Sequence, residues 1–420
     1  MKDKVIFHID INHCYAQIEE MKQPHLRDVP MAVGGHEEKR HGIILAKNDL
    51  AKAAHVMTGE SLREAKQKCP DLLIIPPSYD DYIYYTGLVK DIYRQYSDHV
   101  ESFGLDEAWI DYTDSRKLYG EPVKTACLIQ DRVEKEIGLT VSVGVSWNKA
   151  FAKLGSDMKK PRGMTVITRD NYQKLVWPLP AEDLLYVGPA TIRKLHARGI
   201  MTIGDLAQYP AGILHHDLGI AGDMIQLFAR GEDPSPVAEN GASAPIKSVG
   251  NSMTLVHDVK SFEEVKPVLW MLCEAVASRA RDAGMEGSTV YVSLRSTDLA
   301  WAGRQMKLER ATDVSEEIMA AVELLVHMMW HETVPLRAAG VSLGSLKEAS
   351  SFRQLRLFED AENCEAARRC DLAMDEIRRI YGFDSVKRLC TLNDEKLTDF
   401  NVKADHTVHP VGYFQGRKMG

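Results

Sequence analysis

The sequence predicts a multidomain protein of the α+β class, and three observations carry that prediction. A short apolar strand at the start runs into an aspartate and then a helix. The segments after it follow the order strand, helices, strands, helix, strand, which suits a mostly antiparallel sheet. Beyond a stretch broken by prolines and glycines comes a legible β-α-β-β-α-β run. At 420 residues the chain is also longer than a single hydrophobic core usually supports, so two to four domains are expected.

Taken in order, residues 5–9 (V-I-F-H-I) read as the strand, with Asp10 after it and a helix beginning near Asn12. A lysine-rich helical stretch spans 61–68 and ends at Cys69 and Pro70. Residues 80–96 carry apolar and aromatic side chains at helical spacing, and 100–112 alternate as a strand pair does. A helix over about 123–137 and a strand at 140–146 complete this part. Residues 179–207 read as all-helical, and 233–245, interrupted by Pro234, Pro236, Gly241 and Pro245, as a linker that holds no helix. After it come strand 247–255, helix 261–283, strands 288–296 and 305–310, helix 314–330 and strand 336–343. In residues 289–295, Val290, Val292 and Leu294 share one face, while Thr289, Tyr291, Ser293 and Arg295 share the other.

A hydrophobic share of 45% and a charged share of 27% are those of an ordinary globular chain. The start, M-K-D-K-V-I-F-H-I-D, has too short an apolar stretch and too early an aspartate for a secretory signal, and no run of eighteen apolar residues occurs, so a cytoplasmic protein without a membrane partner is expected. The seven cysteines are scattered and form no C-x-x-C pair, which indicates neither a disulfide framework nor a zinc site. The net charge of -8 argues by itself against nucleic-acid binding. Residues 247–350 carry 11 basic against 14 acidic side chains, so a basic stripe there would be confined to one side, with a plain solvated sheet face as the alternative.

Acid is concentrated where strands end or turn: Asp10, and the pair Asp106 and Glu107 within S-F-G-L-D-E-A-W-I-D. Adjacent buried carboxylates are costly unless a cation neutralises them. Three of them on two strands make the donor set of a divalent-metal site. Hard oxygens suit Mg²⁺, and two such ions ~4 Å apart stabilise the attacking and leaving oxygens of a nucleotidyl transfer. The plainer reading is a solvated turn, because D-E is a common dipeptide.

Three segments together, H-I-D-I-N-H-C-Y-A-Q-I-E-E (8–20), S-F-G-L-D-E-A-W-I-D-Y-T (102–113) and N-K-A-F-A-K-L-G-S-D-M-K-K-P-R-G (148–163), resemble the palm signatures of Y-family translesion DNA polymerases, and look most similar to the bacterial polymerase IV group. The similarity runs in order from residue 5 to about residue 358. It implies a right-hand polymerase: palm at 1–13 and 80–168, fingers at 14–79, a helical thumb at 169–232, a linker at 233–246, a ferredoxin-like little finger at 247–350, and a clamp-binding motif with a C-terminal tail at 351–420. By the same resemblance Asp10, Asp106 and Glu107 are catalytic and, with the carbonyl of Ile11, bind two Mg²⁺ ions. Tyr15 is the steric gate that excludes the ribose 2′-hydroxyl, with plain core packing as its alternative. Lys160 contacts the triphosphate, with Lys159 and Arg162 nearby.

Around residues 48–52 the chain departs from the family pattern. N-D-L-A-K stands where N-Y-x-x-R is usual, so Lys52 keeps the charge without the bidentate fork of arginine, and Asp49 repels phosphate. Gly104, His13 and Cys14 also differ from the usual residues.

Residues 185–190 (L-Y-V-G-P-A) followed by T-I-R-K fit a helix-hairpin-helix. Gly188 would let the backbone approach a phosphate, and Arg193 and Lys194 would add charge. A simple helical corner is the alternative. Arg295 and Lys307 are expected as further backbone contacts. Gln354, Leu355, Leu357 and Phe358, in Q-L-R-L-F, resemble the peptide with which bacterial enzymes bind the sliding clamp; a short amphipathic connector is the alternative. Residues 360–387 read as largely helical.

The expected function is low-fidelity translesion synthesis by a monomer acting on primer-template DNA and deoxynucleoside triphosphates, tethered to a clamp. Two other readings stay open: a non-catalytic DNA- and clamp-binding scaffold derived from such an enzyme, and another palm-type metal enzyme such as a nucleotidyl cyclase or nuclease.

Overall fold

Side-chain alternation in the first strand, β1 (Ile6–Ile11), organises the N-terminal half of the chain. Phe7, Ile9 and Ile11 enter one hydrophobic core, while Ile6, His8 and Asp10 are buried on the opposite face. The computed structural model describes residues 4–35, 42–242, 245–349, 361–392 and 394–398. These divide into two compact units, the first containing residues 4–35 and 43–242 and the second residues 245–398.

In the first unit the elements in chain order are β1, α1 (Cys14–Lys22), β2 (Met31–Gly34), β3 (Ile44–Lys47), α2 (Asp49–Ala53), α3 (Leu62–Lys68), β4 (Leu73–Ile75), α4 (Tyr79–Arg94), β5 (Val100–Phe103) and β6 (Glu107–Asp111). They continue with α5 (Arg116–Tyr119), α6 (Pro122–Ile137), β7 (Val141–Ser146), α7 (Lys149–Met158), β8 (Met164–Val166), α8 (Tyr172–Leu175), α9 (Pro189–His196), α10 (Ile203–Gln208), α11 (Ala211–Leu218) and α12 (Ile220–Ala229). A five-stranded sheet has the order β5-β6-β1-β7-β8, antiparallel except for the β7–β8 pair. A small sheet of order β3-β2-β4 has its own core of Ala32, Ile44, Ala51, Val56, Leu62 and Ala65. Helices α9 to α12 gather around Leu195, Ile203, Leu206, Ile225 and Phe228.

Local chemistry starts and stops these helices. Ser61 and Glu64 form a capping box on α3, as Thr202 and Asp205 do on α10. Asn148 caps α7 by accepting from the Phe151 N–H at 2.8 Å. Gly138, in the left-handed region, ends α6.

Two expectations need correction. First, β1 runs on to Ile11, so Asp10 lies inside the strand, opposite Glu107, and the following helix begins at Cys14. Second, much of the expected linker is laid against the edge strand β5. Asn240 accepts from the Val100 N–H at 3.0 Å and donates to the Ser97 carbonyl at 3.1 Å. Ala238 N–H reaches Glu101 at 2.9 Å, and Val237 is buried with Ile6 and Trp109. An amide side chain here completes the hydrogen bonding of an exposed strand edge, which a reading based on prolines and glycines does not detect.

The second unit contains β9 (Ser248–Val259), α13 (Phe262–Asp282), β10 (Met285–Ser296), β11 (Trp301–Thr312), α14 (Ser315–Met329), β12 (Leu336–Glu348), α15 (Ala361–Tyr381) and α16 (Glu395–Thr398). Its four strands form an antiparallel sheet of order β11-β10-β12-β9. α13 and α14 cover one face, over Val290, Val292, Leu294, Val341 and Leu343. The strands run longer than the sequence predicts, most clearly β11.

Helix α15 packs onto this unit through charge. Asp371 is buried, accepts from the Ser315 N–H at 2.8 Å and hydroxyl at 2.5 Å, and pairs with Arg281 at 3.2 Å. Arg281 also pairs with Asp375 at 2.7 Å; Arg368 pairs with Asp313 at 3.1 Å, and Arg378 and Arg388 converge on buried Glu274. Among the described residues, no helix is long and apolar enough to cross a membrane.

Removing one member of such a network strands the others without partners, which costs far more than a surface pair is worth. Asp371→Ala is therefore expected to destabilise the second unit by about 3 kcal/mol. Amide hydrogen exchange across 361–381 should accelerate; unchanged protection there would show that the ion pairs do not hold the helix.

Candidate active site

Asp10 on β1 and Glu107 on β6 face each other across adjacent antiparallel strands. Asp106 sits in the turn between β5 and β6, and its carbonyl accepts from the Ile11 N–H at 3.1 Å. The same face of the sheet carries His8 and Trp109, and α7 lies over it. This close seating depends on two glycines. A Cβ on Gly144 of β7 would fall 1.9 Å from the Ala152 carbonyl oxygen, and one on Gly155 of α7 would meet Gly144 Cα at 3.1 Å.

Seated this way, α7 brings two ammonium groups to the carboxylates. Lys153 Nζ lies 2.8 Å from Glu107, 3.2 Å from Asp157 and 3.9 Å from Asp10. Lys160, in the turn after α7, lies 2.8 Å from both Asp10 and Asp157. That turn is tight: a Cβ on Gly163 would fall 1.6 Å from the Lys159 carbonyl oxygen. Arg162 turns away, to Glu134 and Asp131.

His8, fully buried, places Nδ1 2.8 Å from the Ser156 hydroxyl and Nε2 3.2 Å from Glu107, the latter without the alignment of a full hydrogen bond. Lys90 of α4 is buried too, with Nζ donating to the Gly104 carbonyl at 3.0 Å. Sequence reasoning passed over His8, Lys153 and Lys90. The first two carry a local signal: His8 is on the Asp10 face of the strand, and Lys153 lies within the third signature, four residues before Asp157.

The electrostatics are uneven. Burial and the neighbouring Glu107 push the Asp10 carboxyl up to about 7, although Lys160 and Lys153 pull the other way. Burial and Glu107 also raise Asp106. Burial opposes the charge on Glu107 as well, but His8 and Lys153 outweigh it and hold the group down at about 2. Lys153 is raised, because the carboxylates overcome its burial. Burial lowers Lys90 to about 8 despite the pull of Asp106. Two of the three carboxylates thus remain short of positive charge, which is the condition a divalent cation with hard oxygen ligands relieves.

Tyr15, in the first turn of α1, is half-buried, and its ring stacks on Tyr82 of α4 with centroids 4.3 Å apart. Lys52 is exposed on α2, as is Asp49; both act on His13, whose side chain also feels Lys47 and Lys160. The remaining residues lie elsewhere. Gly188 precedes α9, where a Cβ would meet nothing within 4 Å, and Arg193 is exposed on α9. Lys194 donates to the Asp217 carbonyl at 3.0 Å. Tyr186, two residues before Gly188, has φ 69, a left-handed backbone at a residue with a Cβ. In the second unit, Arg295 and Lys307 lie on the sheet face opposite the helices, with the Arg295 guanidinium over Trp301. Gln354, Leu355, Leu357 and Phe358 lie outside the described residues.

Residues 9–157 match the model of the impB/mucB/samB family, and residues 246–357 that of the impB/mucB/samB family C-terminal domain. The chain is 42% identical to the DNA polymerase IV of Acetivibrio thermocellus, over 94% of this chain and 99% of the relative. It is 37% identical to the DNA polymerase IV 2 of Bacillus subtilis, over 93% and 95%. Among solved structures, a Y-family DNA polymerase chimera superposes with a TM-score of 0.71 at 21% identity, covering 81% of this chain and 98% of that one.

The raised Asp10 has a measurable consequence. The folded chain holds a proton up to about pH 7 that the unfolded chain, with an ordinary value of 3.8, has already released. The stability that proton confers is present at about pH 4 and lost as pH rises through 7. In EDTA, Asp10→Asn should therefore stabilise the protein above pH 7 by on the order of 1–3 kcal/mol and change little near pH 4. A lower melting midpoint for the variant at pH 8 would contradict the assignment.

Proposed function

The chain belongs to the impB/mucB/samB family, the Y-family DNA polymerases, within the DNA polymerase IV group, and from that membership we propose how its own residues carry out synthesis. It is a DNA-directed DNA polymerase of the translesion class, with DNA and nucleotides as substrates and a divalent-metal requirement. We propose that two Mg²⁺ ions serve a nucleotidyl transfer at Asp10, Asp106 and Glu107, with the Ile11 carbonyl as a further ligand.

The observation that carries this reading is the placing of buried Asp10 opposite half-buried Glu107, with half-buried Asp106 in the adjoining turn, and Asp10 and Asp106 both raised by burial and by Glu107. When bound, the ions would lower the pKa of the primer 3′-hydroxyl and neutralise the triphosphate. The protein's part is positioning. Asp10, Asp106 and Glu107 would hold the ions, and Lys153 and His8 steady the Glu107 carboxylate. Lys160, whose ammonium lies 2.8 Å from both Asp10 and Asp157, would supply positive charge to the triphosphate. Lys52 is a second phosphate contact, weakened by Asp49. Tyr15 is the gate against the 2′-hydroxyl.

DNA is held without reading its sequence. Gly188, Arg193 and Lys194 contact phosphates from the hairpin, and Arg295 and Lys307 contact them from the open sheet face. Residues 354–358 are proposed to engage the sliding clamp, with the polymerase itself a cytoplasmic monomer.

Primer extension on a primed template with Mg²⁺ and single deoxynucleotides tests the catalytic assignment. Template-matched addition by the parent should fall by about a hundredfold or more in Asp106→Ala while DNA binding persists. Activity within about tenfold of the parent would remove the metal role, and a parent that binds DNA without extending it would favour the scaffold. Deleting 354–358 should abolish stimulation by the clamp and leave basal synthesis intact; equal loss of both would make the segment structural.

A further inference from the structure

The gate ring of Tyr15 is one member of a closed group. Tyr15 and Glu19 are four residues apart on α1, so they share one face of the helix. Tyr82 of α4 fits between them. Its ring stacks on Tyr15, nearly parallel at 9°, and its hydroxyl donates to the Glu19 carboxylate at 2.7 Å. Tyr82 is 0% exposed and Glu19 2%. Tyr79 meets the Tyr15 and Tyr82 rings edge-on, each with centroids 6.0 Å apart. Lys22 ties the group to the start of α4: it lies 3.9 Å from Glu19 and pairs with Asp81, which accepts from the Ser78 hydroxyl at 2.6 Å.

A clash discriminates between sugars only as far as its wall is stiff. Van der Waals repulsion falls steeply over a few tenths of an ångström, so a ring able to retreat admits the extra hydroxyl at small cost. Tyr15 cannot retreat without displacing Tyr82. Tyr82 in turn is held by a hydrogen bond to a carboxylate, the stronger kind of such bonds, in a site closed to water. We infer that Glu19 and Tyr82 are specificity-determining positioning residues that set sugar selectivity by bracing Tyr15. The inference rests on Tyr15 being the gate and adds that the stiffness of the gate is supplied from behind.

The test is the ratio of kcat/KM for a deoxynucleotide to that for its matching ribonucleotide. It is measured in the full-length protein for the parent, Tyr82→Phe, Glu19→Ala, Glu19→Gln and, as reference, Tyr15→Ala. Tyr82→Phe keeps the ring and loses the hydrogen bond; the ratio should drop roughly three- to tenfold through faster ribonucleotide use, with deoxynucleotide kcat/KM within about twofold of the parent. Glu19→Ala should behave alike, and Glu19→Gln, which still offers an acceptor, should stay within about twofold of the parent. Melting curves check folding, and if Glu19→Ala does not fold, Tyr82→Phe decides. A parental ratio in Tyr82→Phe alongside a collapsed ratio in Tyr15→Ala overturns the brace and leaves the gate standing. An unchanged ratio in Tyr15→Ala overturns the gate, and the brace with it.

Discussion

Bringing half-buried Asp106 and Glu107 up to the buried Asp10 is the constraint around which the first unit is arranged. Carboxylates packed this closely repel one another and lose their hydration, and a fold that keeps them must bring positive charge close. Lys153 and Lys160 supply it from α7 and the turn after it, while Lys90 reaches in from α4 to hold the Gly104 carbonyl beside Asp106. The compensation is unequal. Glu107 has an ammonium group at 2.8 Å and His8 at 3.2 Å, and is held well below the usual carboxylate range. Asp10, in the same cluster, lies opposite that ionised group and is pushed up.

That arrangement depends on how closely a helix can approach a sheet. Gly144 and Gly155 have no side chains to hold β7 and α7 apart, so α7 sits low enough for Lys153 to reach the edge of the carboxylate cluster. A lysine stem that had to stretch from a higher helix would lose these short contacts. From the other side, α1 turns Tyr15 onto a platform of α4 tyrosines, so Tyr15, like the carboxylates, is positioned by elements distant in sequence.

The second unit buries charge in the opposite manner. Arg281, Arg368, Arg378 and Arg388 each meet a carboxylate of the same network, and Arg388 also lies over the Trp270 ring at 4.0 Å. Matched pairs of this kind specify how α15 docks, whereas under-compensated carboxylates leave a place for a ligand. The two units therefore show the structural and the chemical uses of buried acid side by side.

Periodicity and short motifs are local, and what they encode could be read from the sequence. The apolar alternation of residues 5–9, the D-E pair in its hairpin and the β-α-β-β-α-β order follow from period-2 and helical spacing, and the three ordered signatures led to the family. The folded chain decided what depends on partners far apart in sequence. Asn240 satisfies a strand edge 140 residues earlier, and Asp371 finds Arg281 from 90 residues away. His8, Lys153 and Glu107 become one group because two glycines bring α7 down onto the sheet. Such contacts join surfaces that exist once the elements have packed, so no window along the chain contains them.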